Sequence, residues 1–165
     1  MTMRHFWNAL ILIISLILQS TVAHFLGIMG VIPNILLAGA VSIALCAESG
    51  LEALLYGLGA GVIYDIAWGR IFGVHALLMM YIAVGVYFAS DFVYKKNITV
   101  CVLFAFLASL IHDIIFFAGS FMLFGNGQFL YVLFRIIIPA AAYTAFIQIF
   151  VYMLVRKVNR RGEEV

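Results

Sequence analysis

Six long apolar runs make up most of this chain, and no other feature constrains its fold as strongly. The charged residues lie mainly between these runs or near the chain ends. A helix needs about 20 mostly apolar residues to cross a bilayer, with roughly 17 to 25 tolerated. The runs therefore predict a bundle of about six transmembrane helices, over residues 6–26, 34–47, 51–68, 73–90, 98–123 and 129–155.

The composition favours a lipid environment over an aqueous one. Hydrophobic residues make up 67% of the 165 residues and charged residues 10%, against about 45 to 50% and about 25% in soluble domains. A soluble chain of this length buries only about 70% of its surface, so this composition would leave large apolar patches in water. We therefore predict an all-α integral membrane protein with no soluble catalytic domain.

The breaks between the runs are short, which predicts one membrane domain over residues 1–155 and a short basic tail over 156–165. The second run is shorter than a spanning helix requires, so its helix is expected to be tilted, partly re-entrant or spanning. Arg4 followed by an apolar run is also typical of a signal peptide. That run continues past the small residues around Ala23, which favours a retained first helix.

The basic residues predict which side of the membrane each end of the chain occupies. Short cytoplasmic loops carry an excess of Lys and Arg. With a cytoplasmic N-terminus, most of the 9 basic residues become cytoplasmic: Arg4, Lys95, Lys96, Arg156, Lys157, Arg160 and Arg161. Arg70 then lies in an outer loop and Arg135 within the sixth helix. An even number of helices predicts a cytoplasmic C-terminus as well.

A strip of small residues runs along the third predicted helix and ends in a carboxylate. Ala53, Gly57, Gly61 and Asp65 are each four residues apart, which places them on one helix face. Such spacing lets helix backbones approach closely, and lipid offers helices no hydrophobic drive to associate. We interpret the strip as a packing surface rather than a ligand site. The fifth helix carries a similar strip that ends in Asp113.

Three ionisable residues are predicted to lie inside the membrane: Asp65, Asp113 and Arg135. Each costs about 2.5 to 3.5 kcal/mol at a helix centre unless it is paired or faces water. At a rise of about 1.5 Å per residue, all three fall in the outer half of the bilayer. We predict that Arg135 pairs with Asp113 or Asp65, with His112 as a hydrogen-bond partner. Structural pairing is favoured over a proton relay or a substrate site.

The remaining polar residues point to no chemistry. Glu48 and Glu52 flank an inner loop, where a solvated face is expected and a partner contact is the alternative. Cys46 and Cys101 lie in apolar runs and predict neither a disulfide nor a metal site. No pattern suggests covalent catalysis or a cofactor, so an enzyme is not expected. The basic residues form no patch with interleaved aromatic residues, which argues against nucleic acid as a partner.

Pro33 and Asn34 open the second predicted helix. Gly57, Gly61 and Asp65 are followed, after a short turn, by Gly73 and an apolar run. In these residues, and over nearly its whole length, the chain resembles the MreD family of bacterial rod shape-determining proteins. These residues form the expected helix-packing or partner-binding motif. Asp113, His112 and Arg135 come from the charge argument and not from the family.

The resemblance implies a non-enzymatic scaffold in the bacterial cytoplasmic membrane. A member of this family would bind the bitopic protein MreC within the machinery that inserts lateral-wall peptidoglycan. Through MreC it would connect to cytoplasmic MreB filaments, to the RodA glycosyltransferase and to its class B penicillin-binding transpeptidase.

The family is also similar in architecture to the six-helix substrate-binding subunits of energy-coupling-factor vitamin transporters. This similarity gives an alternative function, in which the chain would bind a small molecule near its outer face. The outer-half polar residues fit that alternative. The very short outer loops, which have few polar groups to close over a ligand, argue against it.

Overall fold

The computed structural model describes residues 2–25, 31–69, 72–90, 92, 98–124 and 129–163, with side chains over 4–21, 31–69, 72–90, 92, 98–119 and 131–159. The regular structure in these residues is almost entirely helical. Five helices precede the last one: α1 Thr2–Phe25, α2 Ile35–Cys46, α3 Gly50–Trp68, α4 Val74–Ser90 and α5 Ile98–Phe124. The all-helical membrane bundle predicted from the apolar runs is confirmed.

The sixth helix, α6, has three consecutive parts: a first turn Phe129–Val132, a π-helical segment Leu133–Ile137 and a long α-helical part Ile138–Glu163. Pro139 explains the irregular segment. A proline inside a helix has no N–H for the bond to the fourth residue back, and its ring presses on that carbonyl. A π segment just before it widens the turn, so the Ile138 N–H donates to Leu133 O, five residues back.

Helix α2 is the central element of the bundle. Every residue from Ile35 to Leu45 is buried, and α2 contacts each of the other five helices. At about 1.5 Å per residue its 12 residues extend over only about 18 Å. The hydrocarbon core of a bilayer is about 30 Å thick, so α2 alone is too short to cross it.

The helices run alternately up and down, which gives the bundle two ends. One end carries Arg4, Glu48 and Glu52 and is called the Arg4 end here. The other end carries the last turn of α3 and the first turn of α4, and is called the Asp65 end. Asp65 accepts hydrogen bonds from the first turn of α4, and Tyr87 near the end of α4 reaches back to the Glu48 carbonyl.

The outer surface of the bundle is apolar. Large hydrophobic side chains point away from the core along several helices, including Ile17, Ile66, Leu103 and Phe150. Within the described residues, three helical stretches are long and apolar enough to cross a membrane by length and composition alone: Gly50–Trp68, Ile98–Gly119 and Leu133–Asn159. Exposure of these apolar side chains to water would be unfavourable, so lipid solvates them instead.

An apolar groove of about 490 Å³ separates α4 from α5 on this outer surface. Tyr81, Gly85 and Ala89 line it from α4, and Leu107 and Ile111 line it from α5. The groove is almost free of polar groups, so acyl chains of the bilayer can fill it.

Candidate functional site

The α3–α4 hairpin is closed by the two glycines of the α3 strip. A Cβ atom at Gly57 would lie 2.6 Å from the Ala83 Cβ and 2.7 Å from the Met79 carbonyl oxygen. A Cβ atom at Gly61 would lie 2.5 Å from the His75 carbonyl oxygen and would also overlap the backbone of Ala76. Real Cβ atoms do not approach other atoms this closely, so only glycine lets the two backbones meet here.

Asp65, one turn beyond Gly61, caps the neighbouring helix instead of its own. Its carboxylate accepts hydrogen bonds from the backbone N–H groups of Gly73 at 2.9 Å, His75 at 3.3 Å and Ala76 at 3.0 Å. The first N–H groups of a helix have no partner within it, and the helix dipole favours a negative charge beside them. The carboxylate satisfies α4 in this way while remaining buried.

Gly73 makes the approach to this cap feasible. Its φ angle is +97°, a backbone conformation that L side chains rarely adopt. The glycine lets the chain turn back sharply after α3 and present its N–H to Asp65. Gly57, Gly61, Asp65 and Gly73 thus all act on one feature, the tight antiparallel contact of α3 with α4.

Pro33 and Asn34 begin the central helix at a buried polar junction of three helices. The Asn34 side chain accepts from the Leu37 N–H at 3.0 Å and so caps α2. Gln19 of α1 accepts from the Ile35 N–H at 2.6 Å and donates to the Pro33 carbonyl at 3.1 Å. Thr144 of α6 accepts from the Asn34 N–H at 3.0 Å.

These bonds satisfy the exposed backbone groups at a helix start that lies inside the bundle. Because α2 begins inside the bundle, other side chains of the protein supply the partners that bulk water provides at an exposed helix start. Gln19 and Thr144 were not predicted from the sequence, since single polar residues in apolar runs carry no spacing signal. Gln148 of α6 was missed for the same reason; it donates to Ser42 of α2 at 2.9 Å.

Asp113 and two histidines form a hydrogen-bonded chain between α5 and α4. The His112 Nδ1 lies 2.9 Å from an Asp113 carboxylate oxygen, and the His112 Nε2 lies 3.1 Å from the His75 Nδ1. A carboxylate can only accept, so His112 donates to Asp113 and, when neutral, accepts from His75. The His75 ring stacks against Phe116 at 4.4 Å and packs against Tyr64 at 4.5 Å. His75 and His112, isolated in the sequence, are therefore directly joined in the fold.

These polar residues lie at one level of the bundle. Asp65 is 15 residues after the first residue of α3, and Asp113 is 15 residues after the first residue of α5. At about 1.5 Å per residue both lie about 22 Å from the Arg4 end. This polar layer also includes the start of α2 and the His75–His112 pair.

A cavity of about 210 Å³ lies in the polar layer, beyond the start of α2. The described residues that line it are Gln19, Ile32, Asn34, Tyr64, Trp68 and Asp113. The short length of α2 accounts for this space. Helix α2 begins at the polar layer, whereas α3 and α5 extend beyond this layer. Asp113 is the charged residue in this described lining.

The predicted pairing of Arg135 is not found in the structure. Arg135 is exposed and lies over the Tyr131 ring at 5.9 Å, and among the described side chains neither Asp65 nor Asp113 has an ion pair with it. The π segment contains Arg135 and shifts its facing relative to a regular helix. Depth along a helix alone does not decide which way a side chain points.

At the Arg4 end, the expectation of solvated glutamates is right for one residue and wrong for the other. Glu48 has a side chain 56% exposed, whereas that of Glu52 is 8% exposed. Arg4 of α1 bridges both carboxylates, with 2.9 Å to Glu52. Ser49 accepts from the Glu52 N–H at 3.2 Å, and Glu52 accepts from the Glu48 N–H at 3.0 Å. The Ser-x-x-Glu spacing at 49–52 is a capping signal that was visible in the sequence.

A model of the rod shape-determining protein MreD family matches residues 2–161 of this 165-residue chain. The chain belongs to the MreD family. No curated protein and no solved structure matches it in comparable searches. Membership of the MreD family assigns the chain a part in determining rod shape, and the apolar helical bundle agrees with a membrane protein.

The MreD assignment does not support the alternative of a vitamin-binding transporter subunit. The cavity of about 210 Å³ is also smaller than the roughly 300 to 1,000 Å³ typical of sites for drug-sized ligands. Among the side chains that the structure describes, no group of three or more His, Cys, Asp or Glu could hold a metal ion. MreD is a family of shape-determining proteins rather than of known enzymes.

Proposed function

We propose that this MreD family member is a non-enzymatic scaffold of the cell-wall elongation complex in the bacterial cytoplasmic membrane. It binds MreC and, through MreC, connects MreB filaments with the RodA glycosyltransferase and its class B penicillin-binding transpeptidase. The observation that carries the proposal is the family match over residues 2–161. The fold supports it, because the bundle presents a large apolar outer surface to neighbouring membrane helices.

The family-pattern residues act in this scaffold by fixing its shape. Gly57, Gly61, Asp65 and Asn34 are buried. The first three contact α4, whereas Asn34 caps its own helix α2 and donates its N–H to Thr144 of α6. A partner therefore meets a surface whose geometry these residues determine. On this proposal their loss removes partner binding indirectly, by opening the α3–α4 hairpin or the start of α2.

We also propose that the Arg4 end of the bundle is cytoplasmic. Arg4 lies at this end together with Arg156 and Lys157 near the end of α6, in accord with the excess of basic residues on the cytoplasmic side. Lys95, Lys96 and Arg70 lie outside the described residues. Reporter fusions after residue 163 and within the loop between α5 and α6 test the orientation. A cytoplasmic reporter that is active in the α5–α6 loop would reverse it.

The scaffold is tested by affinity purification of the tagged chain from gently solubilised membranes of a rod-shaped bacterium that requires it. We expect MreC and the wall-elongation enzymes to be recovered. A matched pair of variants controls for folding: Gly61→Ala removes the hairpin contact, whereas Gly59→Ala, two residues away on the same helix, meets no atom within 4 Å.

Recovery of MreC should fall with Gly61→Ala, together with rod shape, and should stay at the parental level with Gly59→Ala. A folded chain that recovers no MreC, in cells that remain rod-shaped after its depletion, would refute the scaffold.

A further inference from the structure

The cavity in the polar layer contains a carboxylate, Asp113, beside which the described side chains place a histidine but no Lys or Arg. The Asp113 side chain is 26% exposed, and its partners in the described structure are His112 at 2.9 Å and Ser109 at 3.4 Å. Asp65 at the same level is buried and receives three backbone N–H groups. A carboxylate at membrane depth is unfavourable unless it is paired or hydrated. Asp113 therefore has capacity for a cation that Asp65 lacks.

The other polar groups in the described part of the lining favour a positive ligand. The amide oxygens of Gln19 and Asn34 each accept one backbone hydrogen bond and, as carbonyl oxygens, have a second lone pair. Tyr64 and Trp68 lie 5.3 Å apart, between ring centroids, on another part of the lining. Faces of Trp and Tyr rings attract ammonium and guanidinium groups. Carboxylate, carbonyl oxygens and aromatic rings together resemble a receptor for an ammonium group.

The size and position of the cavity further limit which ligands can bind there. A volume of about 210 Å³ accommodates an ammonium group on a short alkyl chain. Ile32 and Trp68, which are 41% and 39% exposed, line the same cavity and belong to the outward-facing surface near the Asp65 end. Tryptophan is enriched where a membrane protein meets lipid headgroups. A ligand that enters from this surface comes from the headgroup region of the bilayer or from the adjacent water.

We propose that this cavity binds an alkylammonium group, with Asp113 as its counter-ion and Tyr64 and Trp68 beside it. The group is the ethanolamine headgroup of a phospholipid or a soluble amine of the same chemistry. The inference does not rest on the proposed part in cell-wall elongation, since its readout is ligand retention and not partner recovery.

Native mass spectrometry of the purified full chain tests the proposal. The chain is offered phosphatidylethanolamine and phosphatidylglycerol with identical acyl chains in equal amounts, and the ratio of retained lipids is measured. Asp113→Asn should lower the ethanolamine preference about tenfold, and Trp68→Leu about threefold, as expected for a lost ion pair and a lost cation–π contact. Glu48→Gln removes the same charge at the opposite end and should leave the ratio unchanged.

A second arm separates the two sources of the amine. Soluble ethanolamine is titrated against the protein with and without lipid. Competition with phosphatidylethanolamine, lost in Asp113→Asn, assigns the site to the lipid headgroup. Binding of soluble ethanolamine that depends on Asp113, without any lipid preference, assigns it to a free amine.

Equal retention of both lipids and no ethanolamine binding that depends on Asp113 would overturn the proposal. Unchanged retention together with loss of a copurifying protein in Asp113→Asn would also overturn it and assign the carboxylate to a protein contact. If Asp113→Asn does not fold, as judged by size-exclusion chromatography, Trp68→Leu decides alone. A parental lipid ratio in that variant would overturn the proposal.

Discussion

The two sides of helix α4 differ in how glycine residues contribute to helix packing. Towards α3 the backbones meet across Gly57 and Gly61, where a Cβ atom would lie 2.5 to 2.7 Å from carbonyl oxygens of α4. Towards α5 a groove of about 490 Å³ remains, and a Cβ atom at Gly85 would have no atom within 4 Å. The α3-facing side of α4 is therefore tightly packed, whereas the α5-facing side is open to lipid along the groove and contacts α5 at His75.

The difference shows that a glycine in a transmembrane helix does not by itself indicate a close contact with another helix. In lipid, helices associate mainly through close packing and hydrogen bonds. Gly57 and Gly61 permit both, because the close approach that they allow brings Asp65 to the first turn of α4. Gly85 permits neither within this chain. The loss in the free energy of unfolding should therefore be several-fold larger for a substitution at Gly57 or Gly61 than for one at Gly85.

The largest effect is expected at Gly61. Gly61→Ala places a Cβ atom against backbone atoms of His75 and Ala76, which cannot yield as a flexible side chain can. The hairpin must open, with a loss of about 3 kcal/mol from the free energy of unfolding, as for overpacked cores. Unfolding by detergent titration of the purified protein measures this loss.

Gly59→Ala is the matched control on the same helix. Its Cβ atom has open space, and alanine favours a helix over glycine by up to about 1 kcal/mol. Equal stabilities for the Gly59 and Gly61 variants would contradict the direct backbone contact of α3 with α4 at Gly61.

A smaller loss is expected for Asp65→Asn. The variant keeps one acceptor oxygen for the three N–H groups of α4 but removes the charge, which should cost about 2 kcal/mol. Asp113→Asn is the natural comparison, because Asp113 lies at the same level and caps no helix. If the two variants unfold alike, the capping role of Asp65 is contradicted.

The spacing of residues in the sequence predicted one part of the α3–α4 hairpin and not another. Four-residue spacing placed Gly57, Gly61 and Asp65 on one helix face, and that interpretation as packing agrees with the backbone contacts. Spacing says nothing about which element lies opposite. The capping of α4 by Asp65 depends on the turn at Gly73 and could not be read from α3 alone.

The polar layer shows the same limit in another form. Depth estimates from the helix rise place Asp65 and Asp113 at one level. The hydrogen bond of His75, beside Asp65, with His112, beside Asp113, is compatible with that estimate. The same estimates placed Arg135 near the two aspartates. Arg135 lies in the π segment before Pro139, and its side chain points outward. The central position of α2 was not foreseen either, since a short apolar run looks alike whether it is buried by protein or by lipid.

Gly73→Ala should have a moderate effect. Among the described residues no atom lies within 4 Å of the added Cβ, so the cost is conformational: a φ of +97° is disfavoured for alanine. We expect a loss of about 1 kcal/mol, as for residues forced into the left-handed region. Gly73→Asn provides the control, because asparagine tolerates positive φ better than alanine and should recover part of the loss. Equal stability of the parent and the alanine variant would contradict the strained turn.

The smallest effect is expected at Gly85, and it is the sharpest test of the comparison. Gly85→Ala adds a methyl group to an open part of the groove, where it displaces lipid and contacts no atom of the described residues. The free energy of unfolding should change by less than about 0.5 kcal/mol, as at surface positions generally. Gly57→Ala, on the tightly packed side, is the matched variant and should lose stability under the same conditions. A loss at Gly85 equal to that at Gly57 would mean that α5 closes on α4 in the membrane, and that the groove is not a lasting feature of the fold.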